Sequence, residues 1–225
     1  MRADAADRSM TSESDMPGTV AGTVRGDGSG DRDVDDRRVR ALVAADMAYT
    51  RSVSPAYDDV VREISSMVAG TGSVGKLEIA ALIAWKRLRA DTPWMAELMS
   101  LPEAQVRSAT ARAVAAANDP AKTTSDAAGD ARAALTGLPG FNTGDALAST
   151  VCFVANPQRL AVYDRRAQDA LRQLGFQLDH RPGRYRRYMA IVEECRTALG
   201  NAGHRWTARR VDTALFQMGG PTRPE

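Results

Sequence analysis

The sequence predicts an all-α protein. Apolar residues recur at helical spacing through most of the chain, and alternating β-branched runs are absent. Gly, Pro and Asx clusters divide the periodic stretches into segments of helix length. Roughly nine or ten helices follow from this pattern. Val39, Leu42, Val43, Asp46 and Met47 mark a short first helix from residue 37, and Ser54-Pro55 opens a second with Tyr57, Val60, Val61 and Ile64 on one face. The glycines of 70–75 break it. Residues 77–89 form a helix carrying Leu77, Ala80, Ala81, Ala84 and Leu88, and a short helix runs through 94–99. Pro102 sits at the first turn of a longer helix ending near Ala117, a place where proline is tolerated. Further helices span 126–135, 143–154, 165–174, 188–199 and 207–218.

Composition sets outer limits. A 225-residue chain with 44% hydrophobic residues can hold one sizeable core or two small lobes. No apolar run is long enough to cross a bilayer, and the N-terminus has no apolar signal region. These features predict a cytoplasmic protein with no membrane partner, and a monomer. Residues 1–36 are poor in large apolar groups and rich in Asp, Gly, Ser and Thr, which predicts a disordered tail ahead of a helical unit over 37–225. Cys152 and Cys195 are the only cysteines; two thiols build neither a four-cysteine zinc site nor an iron–sulfur cluster, and they read as small core residues. His180 and His204 are isolated, so no metal site is expected, and no glycine-rich nucleotide loop follows a strand. Charge is uneven: from Gln158 onward 13 Arg face 7 acids, whereas the first 40 residues carry 9 acids and 7 Arg. A basic C-terminal half suits a polyanionic partner, and equally a solvated Arg-rich surface.

The most informative stretch is Leu138-Pro-Gly-Phe-Asn-Thr-Gly-Asp-Ala-Leu-Ala-Ser, followed by Asn156-Pro-Gln-Arg-Leu-Ala-Val-Tyr-Asp164-Arg-Arg-Ala. Helix, tight turn and small-residue helix form a hairpin. Gly140 supplies the positive φ at the reversal, and Asn142 is the next best residue type for a left-handed conformation. The turn amides of Asn142, Thr143 and Gly144 point at a helix start, which is an anion site. An ordinary αα-corner has the same spacing. Asp164 reads as the N-cap of the next helix, which also aims an ionised carboxylate out of a helix end.

These residues resemble the helix-hairpin-helix (HhH-GPD) DNA glycosylase superfamily, of the endonuclease III and 8-oxoguanine glycosylase types. The pattern shared is a Leu-Pro-Gly hairpin, a small-residue helix and a Val-x-Asp at the following helix. The resemblance runs from about Lys76 to Gly219. It is nearest to an uncharacterised bacterial branch with Trp-Lys in an early helix (Trp85-Lys86 here) and a late Leu-Asp-x-Ala-Leu-Trp helix, approximated by Val211-Asp-Thr-Ala-Leu-Phe216. It implies a two-lobed helical fold in which DNA crosses the hairpin and a target nucleotide is flipped into a cleft. Asp164 would then stabilise the sugar cation formed as the glycosidic bond breaks. Gly140, Asn142, Thr143 and Gly144 would hold phosphate, an arrangement that in family members can include a monovalent cation. Family members that cleave the strand carry a hairpin lysine where this chain has Gly144, so the resemblance implies base removal without strand cleavage. Lys76, Lys86 and Lys122 are the only lysines. The alternative is a helix-hairpin-helix DNA-binding module without catalysis.

Other residues carry weaker expectations. Trp85, Lys86 and Tyr163 are candidates for the wall of a base pocket, although Trp85 reads as core and alternation points Tyr163 away from Asp164. Arg184, Arg186 and Arg187, in a basic loop with one tyrosine, are candidate phosphate contacts.

Overall fold

The computed structural model describes residues 29–142 and 144–220, with backbone alone for 29–31. Ten α-helices and one 3₁₀ turn make up the regular structure of the described residues: α1 (Ser29–Ser52), the 3₁₀ turn (Pro55–Asp58), α2 (Asp59–Thr71), α3 (Lys76–Lys86), α4 (Pro93–Ser100), α5 (Glu103–Ala117), α6 (Thr124–Ala134), α7 (Ala146–Ala155), α8 (Arg165–Gln173), α9 (Arg184–Asn201) and α10 (Ala208–Met218). The expected all-α class is the observed one.

Helix boundaries follow local chemistry. Thr123 caps α6 and Thr207 caps α10 through side-chain oxygens that accept otherwise unpaired N–H groups. Helix α3 ends three residues before the sequence pattern suggests. Arg87 adopts a left-handed conformation (φ 56°), and its N–H turns back to Ala84 and Ile83. Helix α9 begins four residues early, at Arg184 directly after left-handed Gly183.

One expectation about the N-terminal part is corrected. Residues 1–28 of the expected disordered tail lie outside the described residues, but residues 29–36 form the first turns of α1. Tertiary contacts outweigh their polar composition. Arg38 donates to Leu174 O (3.0 Å), pairs with Asp35 and Glu194, and lies 4.0 Å over the Phe176 ring.

One continuous apolar core runs from Val39 to Leu215. Helix α7 is its axis: every residue from Leu147 to Val154 is buried, as expected of a helix covered on all faces. Around it pack α2, α3, α5 and α6, while α10 packs on α1, α8 and α9, and α6 meets α9 to join the two groups. Cys152 and Cys195 are buried free thiols, and burial pushes both up to about 12. They behave as the core residues the sequence suggests.

Candidate functional site

The hairpin between α6 and α7 is built around missing side chains. Gly140 turns the chain at φ 83°, and a methyl group there would overlap the indole of Trp94 from α4. Gly144 (φ 71°) makes a second left-handed turn. Asn142 was the residue expected in that conformation, but Arg87 is the one described non-glycine residue with positive φ. Glycine two residues later takes the strained position at lower steric cost. Helix α7 consequently starts at Ala146 rather than 143, and Asn142 is exposed. Thr143 lies outside the described residues.

Asp145 precedes α7 but does not cap it with its side chain. Its carboxylate accepts from Arg132 Nε (3.0 Å) and Arg184 Nε (2.7 Å), all three side chains being largely buried. Arg132 also donates to Gly144 O at 3.0 Å, tying α6 to the second turn of the hairpin. A buried carboxylate needs such partners to stay charged.

Asp164 is positioned by the irregular segment before it. Leu160 to Tyr163 are buried, so their backbone groups require partners. Ser149 Oγ accepts from Tyr163 N–H (2.9 Å), Tyr185 donates to Ala161 O (2.8 Å), and Tyr188 approaches Val162 O (3.3 Å). The small side chain of Ser149 on α7 thus serves both close approach and hydrogen bonding. Beyond this pinned segment Asp164 caps α8, its Oδ1 accepting from Arg166 N–H at 2.8 Å. Its other oxygen, Oδ2, pairs with Lys86 Nζ at 2.7 Å. The two side chains are 21% and 12% exposed, and both open onto the same cleft.

That cleft is a cavity of about 950 Å³, within the range of small-molecule sites, roughly 300–1,000 Å³. Gly140, Gly144 and Asp145 of the hairpin line one side, and Asp164 and Gln168 of α8 another. Lys86 reaches it from the end of α3, and Trp94 covers it from α4. The sequence pattern therefore located residues that the fold does bring together: the glycine turn and the capping Asp share one cavity.

The other expected site residues divide. Tyr163 also lines the cavity, its hydroxyl donating to Gln168 Oε1 at 2.6 Å while burial raises its proton affinity. Residues 160–163 are not a regular strand, so strand alternation does not govern that segment. Trp85 is not among the cavity-lining residues; this corrects its candidacy for the pocket wall. Its Nε1 donates to Tyr57 O (3.0 Å), and its ring stacks with Phe153 in the core. Arg184 lines the cavity but is held by Asp145 and lies 4.6 Å over the Tyr163 ring. Arg186 pairs with Asp126 and Arg187 with Asp179, and neither lines the cavity.

Several site residues carried no sequence signal. Asp145, Gln168, His180 and Trp94 converge on the cavity from four separate segments. His180 Nδ1 lies 2.9 Å from Arg184 Nη1. Arginines 89, 165 and 172 complete a rim with more cations than acids, an environment that attracts anions. Among the described residues no cluster of His, Cys, Asp or Glu could hold a metal ion, and no helix is long and apolar enough to cross a membrane. Comparison with protein-family models, with curated proteins and with solved structures finds no match to this chain in any of the three.

Proposed function

We propose that this chain is a monofunctional DNA glycosylase-like protein that hydrolyses the N-glycosidic bond of a damaged or modified base. The single observation that carries the reading is the cavity shared by the Gly140–Gly144 hairpin and the Asp164 carboxylate. On this reading two helical lobes meet at the hairpin, whose amides hold phosphate, and an extruded nucleotide enters the cavity. Extrusion costs a few kcal/mol, least for a damaged or unpaired base. Breaking the glycosidic bond leaves positive charge on the sugar. A fixed, poorly hydrated carboxylate beside that charge stabilises the transition state more than the ground state. Asp164 is fixed by its cap and its ion pair, and is only 21% exposed.

The test is incubation with duplexes that each carry one damaged or modified base, followed by alkali to cleave abasic sites. Product from at least one duplex, abolished by Asp164→Asn while DNA binding persists, supports the reading. Duplexes bound and none processed overturns it for those bases.

One observation favours a non-catalytic DNA-binding module instead. Both Asp164 oxygens already have partners, Arg166 N–H and Lys86 Nζ, so the carboxylate has a sufficient structural role. In that case Asp164→Asn changes no function. A helical scaffold with no nucleic-acid role is separated from both by salt titration. Phosphate contacts make log K fall with log salt by roughly 0.9 per contact, and a scaffold gives a flat line.

A further inference from the structure

The ammonium of Lys86 has bonding capacity that the fold leaves open. A lysine ammonium carries three N–H donors. Among the described residues, Lys86 Nζ makes one hydrogen bond, to Asp164 Oδ2 at 2.7 Å. The side chain is only 12% exposed, and it lines the cleft. Asp212 on α10, 2% exposed, is held by Arg209 Nη1 at 2.6 Å and accepts no hydrogen bond from Lys86. A largely buried donor without an acceptor is costly, and one that faces a cavity is satisfied by what fills it. The outer cations of the rim differ. Arg89 and Arg172 are 80% and 66% exposed and pair with Asp91 and Asp169, so water serves them as well as a ligand.

The two ends of the ion pair are each set in place by a helix. Lys86 lies in the last turn of α3, where the helix dipole favours a cation, and Asp164 caps the start of α8, where it favours an anion. The cleft therefore presents a fixed negative oxygen beside a fixed positive nitrogen. Breaking an N-glycosidic bond develops the opposite pattern, positive on the sugar and negative on the base. A carboxylate alone answers only the first of those charges. The open N–H groups of Lys86 answer the second.

We propose that Lys86 is a catalytic residue that donates a hydrogen bond to the departing base while Asp164 faces the sugar. The role rests on the glycosylase reading above. The bond between C1′ of the sugar and the base nitrogen breaks with its electron pair going to the base. That charge spreads onto a carbonyl oxygen or ring nitrogen, where a Lys86 N–H meets it and Lys86 keeps its proton. Water adds to C1′, and the proton it loses passes by way of Asp164 to the departed base. Because Lys86 lies 2.7 Å from the carboxylate that faces the sugar, the acceptor it reaches is one beside the glycosidic nitrogen. Pyrimidine O2 and purine N3 are such acceptors.

The test compares leaving groups. A duplex processed in the base-release assay is paired with its counterpart whose released base carries an electron-withdrawing halogen. Lys86→Met is expected to lower kcat on the first roughly 100- to 1,000-fold, the range for loss of one donor to a developing negative charge. The loss is expected to be smaller on the halogenated base, which holds negative charge without help. A merely structural role lowers both equally, and an equal loss overturns the proposal while the glycosylase reading stands. If Lys86→Met does not fold, Lys86→Gln, which is neutral and still able to bond Asp164, is judged by the same comparison. A second measurement needs no turnover: equilibrium dialysis of the full chain with free uracil, hypoxanthine and adenine. At least one is expected to bind, roughly 10- to 100-fold more weakly in the Lys86 variant, the scale of one hydrogen bond from a charged group. Absence of binding, or equal binding in both proteins, overturns the proposal. If no duplex is processed while binding of a free base depends on Lys86, the glycosylase reading fails and the contact between Lys86 and a base stands.

Discussion

Lys86 Nζ sits 2.7 Å from Asp164 Oδ2, joining the last turn of α3 to the first turn of α8 across the cleft. The same carboxylate caps α8 through its other oxygen. Asn caps helices about as well as Asp, whereas Ala costs about 1 kcal/mol at such a site. Asp164→Ala is therefore expected to be about 1 kcal/mol less stable than Asp164→Asn, measured by urea midpoints. On the glycosylase reading, both lose base release by roughly 100- to 1,000-fold, as for removal of a preorganised group that meets transition-state charge, while retaining DNA affinity.

Strand cleavage requires an amine with an available lone pair. Lys86 is the one lysine lining the cavity, and its Nζ is held 2.7 Å from Asp164 Oδ2. Borohydride added to the protein with an abasic duplex is expected to trap no covalent adduct. An adduct that vanishes in Lys86→Gln would show that this amine acts as a nucleophile.

Gly140 combines a left-handed backbone with an indole pressed against its Cα. Gly140→Ala is expected to destabilise the fold by roughly 2–4 kcal/mol, about 1–2 from the backbone conformation and the rest from displacing Trp94. Trp94→Ala in the Gly140→Ala background recovers only the steric share. Urea denaturation of the three variants checks this.

Asp145 holds two arginines that are each only 17% exposed. Removing one member of such a group leaves buried charge without a partner. Asp145→Ala is expected to cost roughly 3–5 kcal/mol, seen as a lower denaturation midpoint. Arg184 also loses the carboxylate that holds it near the Tyr163 ring.

Burial raises the Asp212 carboxyl above its ordinary value. A group with a higher pKa in the folded than in the unfolded chain contributes stability at low pH, and loses it as pH rises through the folded value. Asp212→Asn is therefore expected to melt at or above the temperature of the unmodified chain at neutral pH. The gap narrows on acidification through the raised carboxyl value. Thermal melts across that range test the sign.

The helices were legible because their apolar periodicity and breakers are local properties: Pro102 marks the start of α5. Asp164 was legible for the same reason, as an N-cap. What the sequence concealed was set by distant partners. Arg38 orders residues that look like tail because Leu174 and Glu194 lie beside it. Trp85 read as core with the pocket wall as the weaker alternative, and its contacts with Tyr57 and Phe153 place it in the core. Lys86 and Asp164 are 78 positions apart, so no spacing rule pairs them. Arg186 and Arg187 looked like phosphate ligands because their partners, Asp126 and Asp179, are invisible to a reading of charge along the chain.

The indole resting on Gly140 gives this molecule a native optical reporter. Trp85 and Trp206 are 8% and 7% exposed, whereas Trp94 is half-buried at the cavity. Emission from Trp94 therefore senses the arrival of a guest through quenching or a change of colour, while the other two chromophores provide a constant background. Occupancy of the cleft can be followed without attaching a dye.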